Sequence, residues 1–268
     1  MNVFVFDIET VPDVEAGMRF YDLPTSFEPR DIANAMKARR REAVGHDFLK
    51  LHLQRIVAIS VVLCTRDQFK VWSLGDEQSS EKELIERFFT GIAKYRPTLV
   101  SWNGGGFDLP VLNYRAMRHQ ITADVYWDLG EIDQSSKWNN YINRYHLRHT
   151  DLMDVLSLYQ AKACVALDEM ATLLGYPGKM GMSGAKVWDA YVDGELKAIR
   201  DYCETDVLNT YLVYLHFLLL RGHLNHEEFV HEQRRVAEFL QMHNEHAHFQ
   251  EFLEAWSDAP LENNRVIL

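Results

Sequence analysis

Cysteine is scarce. Cys64, Cys164 and Cys203 stand far apart, are odd in number and form no C-x-x-C pair. Neither a disulfide framework nor a thiolate zinc site is expected, and a reducing, cytoplasmic setting fits best. Basic residues are in deficit: 28 Lys and Arg against 39 Asp and Glu leave a net charge of −11. That balance argues against a general nucleic-acid coat or a membrane-surface protein, but not against an enzyme whose cleft is basic only locally. A membrane-spanning run is also missing. The longest apolar stretch, Val207 to Leu220, is interrupted by Asn209 and His216 and is too short to cross a bilayer. The N-terminus lacks a basic n-region, and Asp7 and Glu9 break its apolar run, so no signal peptide is expected. No internal repeat, low-complexity tract or G-x-x-x-x-G-K-[ST] phosphate loop is present.

What is there suits one sizeable core: 268 residues, 47% of them hydrophobic. Asn2 to Ile8 is β-branched and aromatic on both faces, the pattern of a central strand covered on two sides. Arg55 to Leu63 and Gln68 to Leu74 read as a hairpin around Thr65-Arg66-Asp67. Ser80 to Glu83 forms a capping box that opens a helix to about Tyr95. Thr98 to Trp102 reads as a short buried strand, followed by a Gly104-Gly105-Gly106 turn and a helix opened by Asp108-Leu109-Pro110. After Asp151 the pattern is almost wholly helical, with long helices expected over Glu195 to Leu220 and Glu227 to Trp256. The sum is an α/β domain with a mixed sheet. From Arg30 to Arg55 the local balance reverses, seven Lys and Arg against three Asp and Glu, densest at Lys37, Arg39, Arg40 and Arg41.

The carboxylates carry the chemistry. Asp7 and Glu9 are two apart on a strand, so both point to one face. Acids at the end of a buried strand are costly unless paired or cation-bound, and the segment has no Lys or Arg. A hard divalent cation is the natural partner. Taken singly, Asp108 reads as a helix N-cap, and Tyr202 with Asp206, four apart, as neighbours on one helix face.

Together, Asp7-Ile-Glu9-Thr10, Asn103 to Asp108 and Tyr202-Cys-Glu-Thr-Asp206 resemble the three motifs of the DEDD 3′–5′ exonucleases in the tyrosine subgroup, DEDDy. The wording is most similar to the proofreading exonuclease domains of family-B DNA polymerases and their stand-alone bacterial relatives. The resemblance spans about residues 1–220 and implies a ribonuclease-H-like fold, here a mixed five-stranded sheet with flanking helices. A basic helical insertion at about 25–54 and a helical C-terminal extension over 221–268, packed on the same domain, complete the expected organisation.

The resemblance implies catalytic residues Asp7, Glu9, Asp108, Tyr202 and Asp206. The four carboxylates would hold two divalent ions, Mg²⁺ or Mn²⁺: Asp7 bridging, Glu9 and Asp206 on one ion, Asp108 on the other. Tyr202 would orient the attacking water. Expected substrate contacts are Thr10, Asn103, Phe107, Lys179 (in a Gly178-Lys179 turn), Arg39, Arg40 and Arg41. The expected reaction is release of nucleoside 5′-monophosphates from 3′ ends of single-stranded DNA. RNA is the alternative polymer, because nothing in the motifs reads a 2′-hydroxyl; a scaffold on a degenerate nuclease fold is disfavoured by five intact motif residues. The length leaves no room for a palm and fingers, so polymerase activity is not expected.

Two further groups invite a role. Asp151 and Asp154 lie between the second and third motifs, where helix capping and support of the site compete. Seven of the twelve histidines fall between His216 and His248, and a polar helix surface accounts for them better than zinc.

Overall fold

The computed structural model describes residues 2–257. In chain order its elements are β1 (Val3–Pro12), α1 (Val14–Tyr21), α2 (Pro29–Val44), β2 (Gln54–Cys64), β3 (Phe69–Ser73), α3 (Glu81–Tyr95), β4 (Thr98–Ser101), α4 (Asp108–His119) and α5 (Asp124–Trp127). There follow β5 (His149–Asp151), α6 (Leu152–Leu156), α7 (Leu167–Leu173), α8 (Val187–Val192), α9 (Leu196–Leu220), α10 (His226–Met242) and α11 (Ala247–Ser257). The sheet order is β3-β2-β1-β4-β5. β1 pairs antiparallel with β2 and parallel with β4, and β4 pairs parallel with β5. The mixed, five-stranded α/β architecture is the one anticipated.

Strand β1 sits in the middle because both its faces are apolar. Phe4, Phe6 and Ile8 pack with Phe88 of α3 and Leu112 of α4. Val3 and Val5 face the other way, into a cluster with Val207, Leu208 and Tyr211 of α9, Val236 of α10 and Phe252 of α11. Alternation then carries Asp7 and Glu9 onto the α9 face. β1 and β2 slip register between Glu9 and Thr10, leaving Val57 as the extra residue of a bulge. The Ile56 N–H at that bulge donates to Glu81 of α3 at 2.7 Å. Glu81 also takes a two-pronged bond from Arg115 of α4, and Arg115 reaches Asp13 at the end of β1. These three side chains are buried and lock β1, α3 and α4 together.

Two helical expectations need correction. Residues 227–256 form two helices, not one, broken at His243–His246. The His243 N–H closes back on the Phe239 and Leu240 carbonyls, and His-Asn-Glu-His is a weak helix sequence. The break turns Phe249, Phe252 and Trp256 onto the core. The stretch from Asp151 to Glu195 is likewise interrupted: α6 ends in two consecutive left-handed residues, Leu158 and Tyr159, with φ of 53° and 62°. Among the described residues, no helix is long and apolar enough to cross a membrane.

Candidate active site

The parallel strands β1, β4 and β5 bring their C-terminal ends to one edge of the molecule, and α9 lies across the face that carries Asp7 and Glu9. Cys203 of α9 rests on β1, its thiol 3.5 Å from both the carbonyl and a carboxylate oxygen of Asp7. The same helix presents Tyr202 and Asp206. Asp108 is not an N-cap: Phe107 holds that position, and the buried Asp108 carboxylate accepts from the Ile8 N–H at 3.1 Å, between the two β1 acids. Elements separated by most of the chain thus bring Asp7, Glu9, Asp108, Tyr202 and Asp206 together.

The cost is electrostatic. Burial pushes Asp7 well above the ordinary carboxylate range, and Asp108, Glu9 and Asp206 add to it. Burial does the same to Glu9, with Asp206 and Asp108 contributing. Burial raises Asp108 to about 7 and Asp206 to about 6. The Tyr202 phenol is driven far above its usual value, first by burial and then by the charges of Asp206 and Glu9, so it stays protonated. Among the described residues, Lys179 is the cation that acts on this group, lowering Glu9 and Asp206 through space. Four carboxylates with so little compensation are a donor set of oxygens suited to hard divalent cations. Asp7, Glu9 and the neighbouring Cys203 already have donor atoms within 4.8 Å of one another.

Lys179 owes its place to a hook. Asn209, buried one turn beyond Asp206 on α9, accepts from the Gly178 N–H at 3.3 Å and donates to the Gly178 carbonyl at 2.8 Å. Gly178 has a φ of 63°, and a side chain there meets Asp168 and Thr172. The turn before Asp108 is held from β5. Asp151 accepts from the Asn103 N–H at 2.9 Å and the Gly105 N–H at 2.8 Å, while also capping α6. Capping and support of the site are therefore one role of one carboxylate. Asp151→Ala leaves two turn amides unsatisfied; the expected result is about 1–3 kcal/mol of lost stability and a larger fractional loss of activity, read by thermal melts and turnover of the same samples.

A cleft of ≈ 600 Å³ opens beside the acids, its walls including Glu9, Thr10, Lys37, Phe48, Asn103 and Phe107. Thr10 is tied to Gln54 at 3.1 Å. Phe48 is exposed and lies 5.8 Å from Phe107, ring to ring. Phe48 lies outside the expected contacts, because Leu49, Leu51 and Leu53 follow it and nothing in the local sequence singles it out. Within the basic segment the three arginines do not line this cleft. Arg39 lies over the Tyr21 ring, Arg40 donates to the Phe48 carbonyl at 3.1 Å, and Arg41 pairs with Asp47 at 2.6 Å. Lys37 is the α2 cation on the cleft wall. Of the clustered histidines, His223, His226, His231 and His246 are exposed, as a polar surface requires; two depart from it, His248, largely buried and bonded to Glu204 at 2.9 Å, and His216, bonded to Tyr176 at 2.8 Å.

Known proteins show the family. A DNA polymerase of Archaeoglobus fulgidus is 28% identical over 160 residues, 59% of this chain and 19% of that protein. The solved family B DNA polymerase of the hyperthermophilic archaeon Pyrobaculum calidifontis matches with a TM-score of 0.51 and 20% identity, covering 82% of this chain and 24% of that one. The chain therefore spans about a fifth to a quarter of the length of these relatives. A family model described as a predicted 3′–5′ exonuclease related to the exonuclease domain of PolB matches residues 46–256, which include Asp108, Tyr202 and Asp206. With that match over most of its length, and β1 delivering Asp7 and Glu9 to the same place, the chain belongs to the family of 3′–5′ exonucleases related to the PolB exonuclease domain.

Proposed function

We propose that residues 1–220 form a 3′–5′ exonuclease domain, extended by α10 and α11, that hydrolyses single-stranded DNA from its 3′ end to nucleoside 5′-monophosphates in the cytoplasm. The observation that carries this reading is the crowd of four carboxylates beside an open cleft, with Lys179 acting on Glu9 and Asp206. Asp7, Glu9, Asp108 and Asp206 would hold two divalent ions, Mg²⁺ or Mn²⁺. Bound there, such ions supply activation of water, neutralisation of the phosphate and stabilisation of the departing 3′-oxygen.

The chain's own groups do the positioning. Phe107 and Phe48 offer faces for the terminal base, and Asn103 and Thr10 offer polar contacts along the cleft. Lys179 and Lys37 supply positive charge for phosphates in an acidic surrounding. Arg40 and Arg41 act by fixing the loop that carries Phe48. Tyr202, protonated at all working pH values, donates a hydrogen bond and orients the attacking water rather than taking its proton. Tyr202→Phe is expected to slow hydrolysis roughly 10–10³-fold, the scale of one lost preorganised donor, with divalent affinity nearly intact. Single-turnover rates beside a metal titration of both proteins check this; wild-type turnover removes the hydroxyl from the mechanism.

The deciding experiment incubates 3′- and 5′-end-labelled DNA and RNA oligonucleotides with Mg²⁺ or Mn²⁺, with and without chelator. Chelator-sensitive shortening of DNA from the 3′ end is expected. Faster shortening of RNA reassigns the polymer, and cleavage of neither sinks the reading.

A further inference from the structure

Beyond the acids and the cleft, the same edge of the molecule carries a second chemical feature. Tyr145 is 68% exposed and packs its ring 5.0 Å from that of Tyr159, edge to face. Arg144 lies over both rings, 6.0 Å from one centroid and 5.0 Å from the other. Its guanidinium is fixed by Asp154 at 2.7 Å. Exposed tyrosines roofed by a guanidinium have little reason to be ordered for stability alone, since each ring would be better placed in a core.

The backbone beneath them is strained to hold this arrangement. Leu158 and Tyr159 are consecutive non-glycine residues in the left-handed region. They are pinned by the Tyr159 N–H donating to the Asp154 carbonyl at 2.8 Å. Leu158 itself is 72% exposed, so no buried contact of its side chain repays the strain. Asp154 links the group to the site: its N–H donates to Asp151, which holds the turn ahead of Asp108. Charge is favourable as well. Residues 134–165 hold four Lys and Arg (Lys137, Arg144, Arg148, Lys162) against two acids, in a chain of net −11.

We propose that Tyr145, Tyr159 and Arg144 form a stacking platform for an unpaired base of the bound single strand, some nucleotides away from the 3′-terminal one. Rings and guanidinium planes are the sequence-tolerant way to hold such bases. The platform rests on the nuclease reading only for its ligand: it gives the strand a second grip, separate from the cleft lined by Phe107. Affinity should therefore grow with strand length beyond what the cleft alone accounts for.

The test is fluorescence anisotropy with labelled oligonucleotides of three, six and ten nucleotides, in chelator so that none is cut. Wild-type protein is expected to bind the ten-mer more tightly than the three-mer. Tyr145→Ala and Tyr159→Ala should each compress that ratio roughly tenfold, within the range of one lost base stack. Tyr145→Phe, which keeps the ring, should restore it. Melting curves separate loss of fold from loss of the platform, and the exposed Tyr145 is the safer of the two to remove. An unchanged length dependence in Tyr145→Ala overturns the platform while leaving the nuclease reading intact. Failure of the wild type to bind any strand overturns both. Equal affinity of the wild type for the three-mer and the ten-mer overturns the platform alone.

Discussion

Asp7→Ala and Asp206→Ala are each expected to abolish hydrolysis while making the metal-free protein more stable at pH 8. The loss of activity should reach at least roughly 10²–10³-fold, the scale of one electrostatic group removed from a preorganised site. The gain in stability follows from proton linkage. Asp108 and Asp206 have folded pKa values raised to about 7 and about 6. Between about pH 4 and pH 7 the folded state therefore holds protons that the unfolded chain has released. Stability falls as pH rises through that window, and the full cost stands above it. Removing one carboxylate removes part of the cost, so in chelator at pH 8 the variants should melt roughly 2–6 °C higher than wild type. At pH 4.5 the difference should shrink. Mg²⁺ or Mn²⁺ should raise the wild-type melting temperature more at pH 8 than at pH 5, and raise that of Asp7→Ala far less. Unaltered cleavage by either variant dissolves the site; a lower melting temperature in chelator removes the repulsion argument.

Arg115→Ala is expected to be the most damaging single change to the fold. Arg115 is 3% exposed and bridges Glu81 and Asp13, both buried. Burial works against its charge, yet bonds to Glu81 and Asp13 hold its pKa above the ordinary arginine value. Truncation strands two buried carboxylates and costs about 3–5 kcal/mol. For a chain of this size the melting temperature should fall by roughly 6–15 °C. His119, 2.7 Å from Glu81, offers only partial compensation. Catalysis should suffer beyond the stability loss, because α4 starts with Asp108 and Glu81 ties down the bulge beside Glu9. A melting temperature within 2 °C of wild type contradicts the anchoring role.

The central strand and its acids were legible because period-2 alternation needs only local sequence. Val3, Val5, Asp7 and Glu9 share a face whatever packs on it. The long α9 was legible from its apolar length, and Tyr202 and Asp206 from their spacing along it. What tertiary contacts decide was not. Asp108 reads as a cap, but its carboxylate turns inward to the Ile8 N–H of a strand 100 positions away. β5 is three residues, His149–Asp151, with no strand-like composition, and exists because β4 offers it an edge. His248 looks like one polar histidine among several until Glu204 is seen to receive it. The arginines of α2 look like phosphate ligands until Phe48 and Asp47 are placed beside them.

The separation of the acids along the chain also sets an order of events. Asp7 and Glu9 leave the ribosome first, and β1, β2, α3, β4 and α4 complete one half of the sheet's packing before α9 exists. Asp206 joins only when α9 docks onto β1, so that docking adds a fourth carboxylate to the three that β1 and α4 already bring together. That docking step is expected to be the one most sensitive to protons or divalent ions. Refolding of the full chain should accordingly quicken when Mg²⁺ is present or the pH is lowered toward 5, and the refolding of Asp206→Ala should respond less to both.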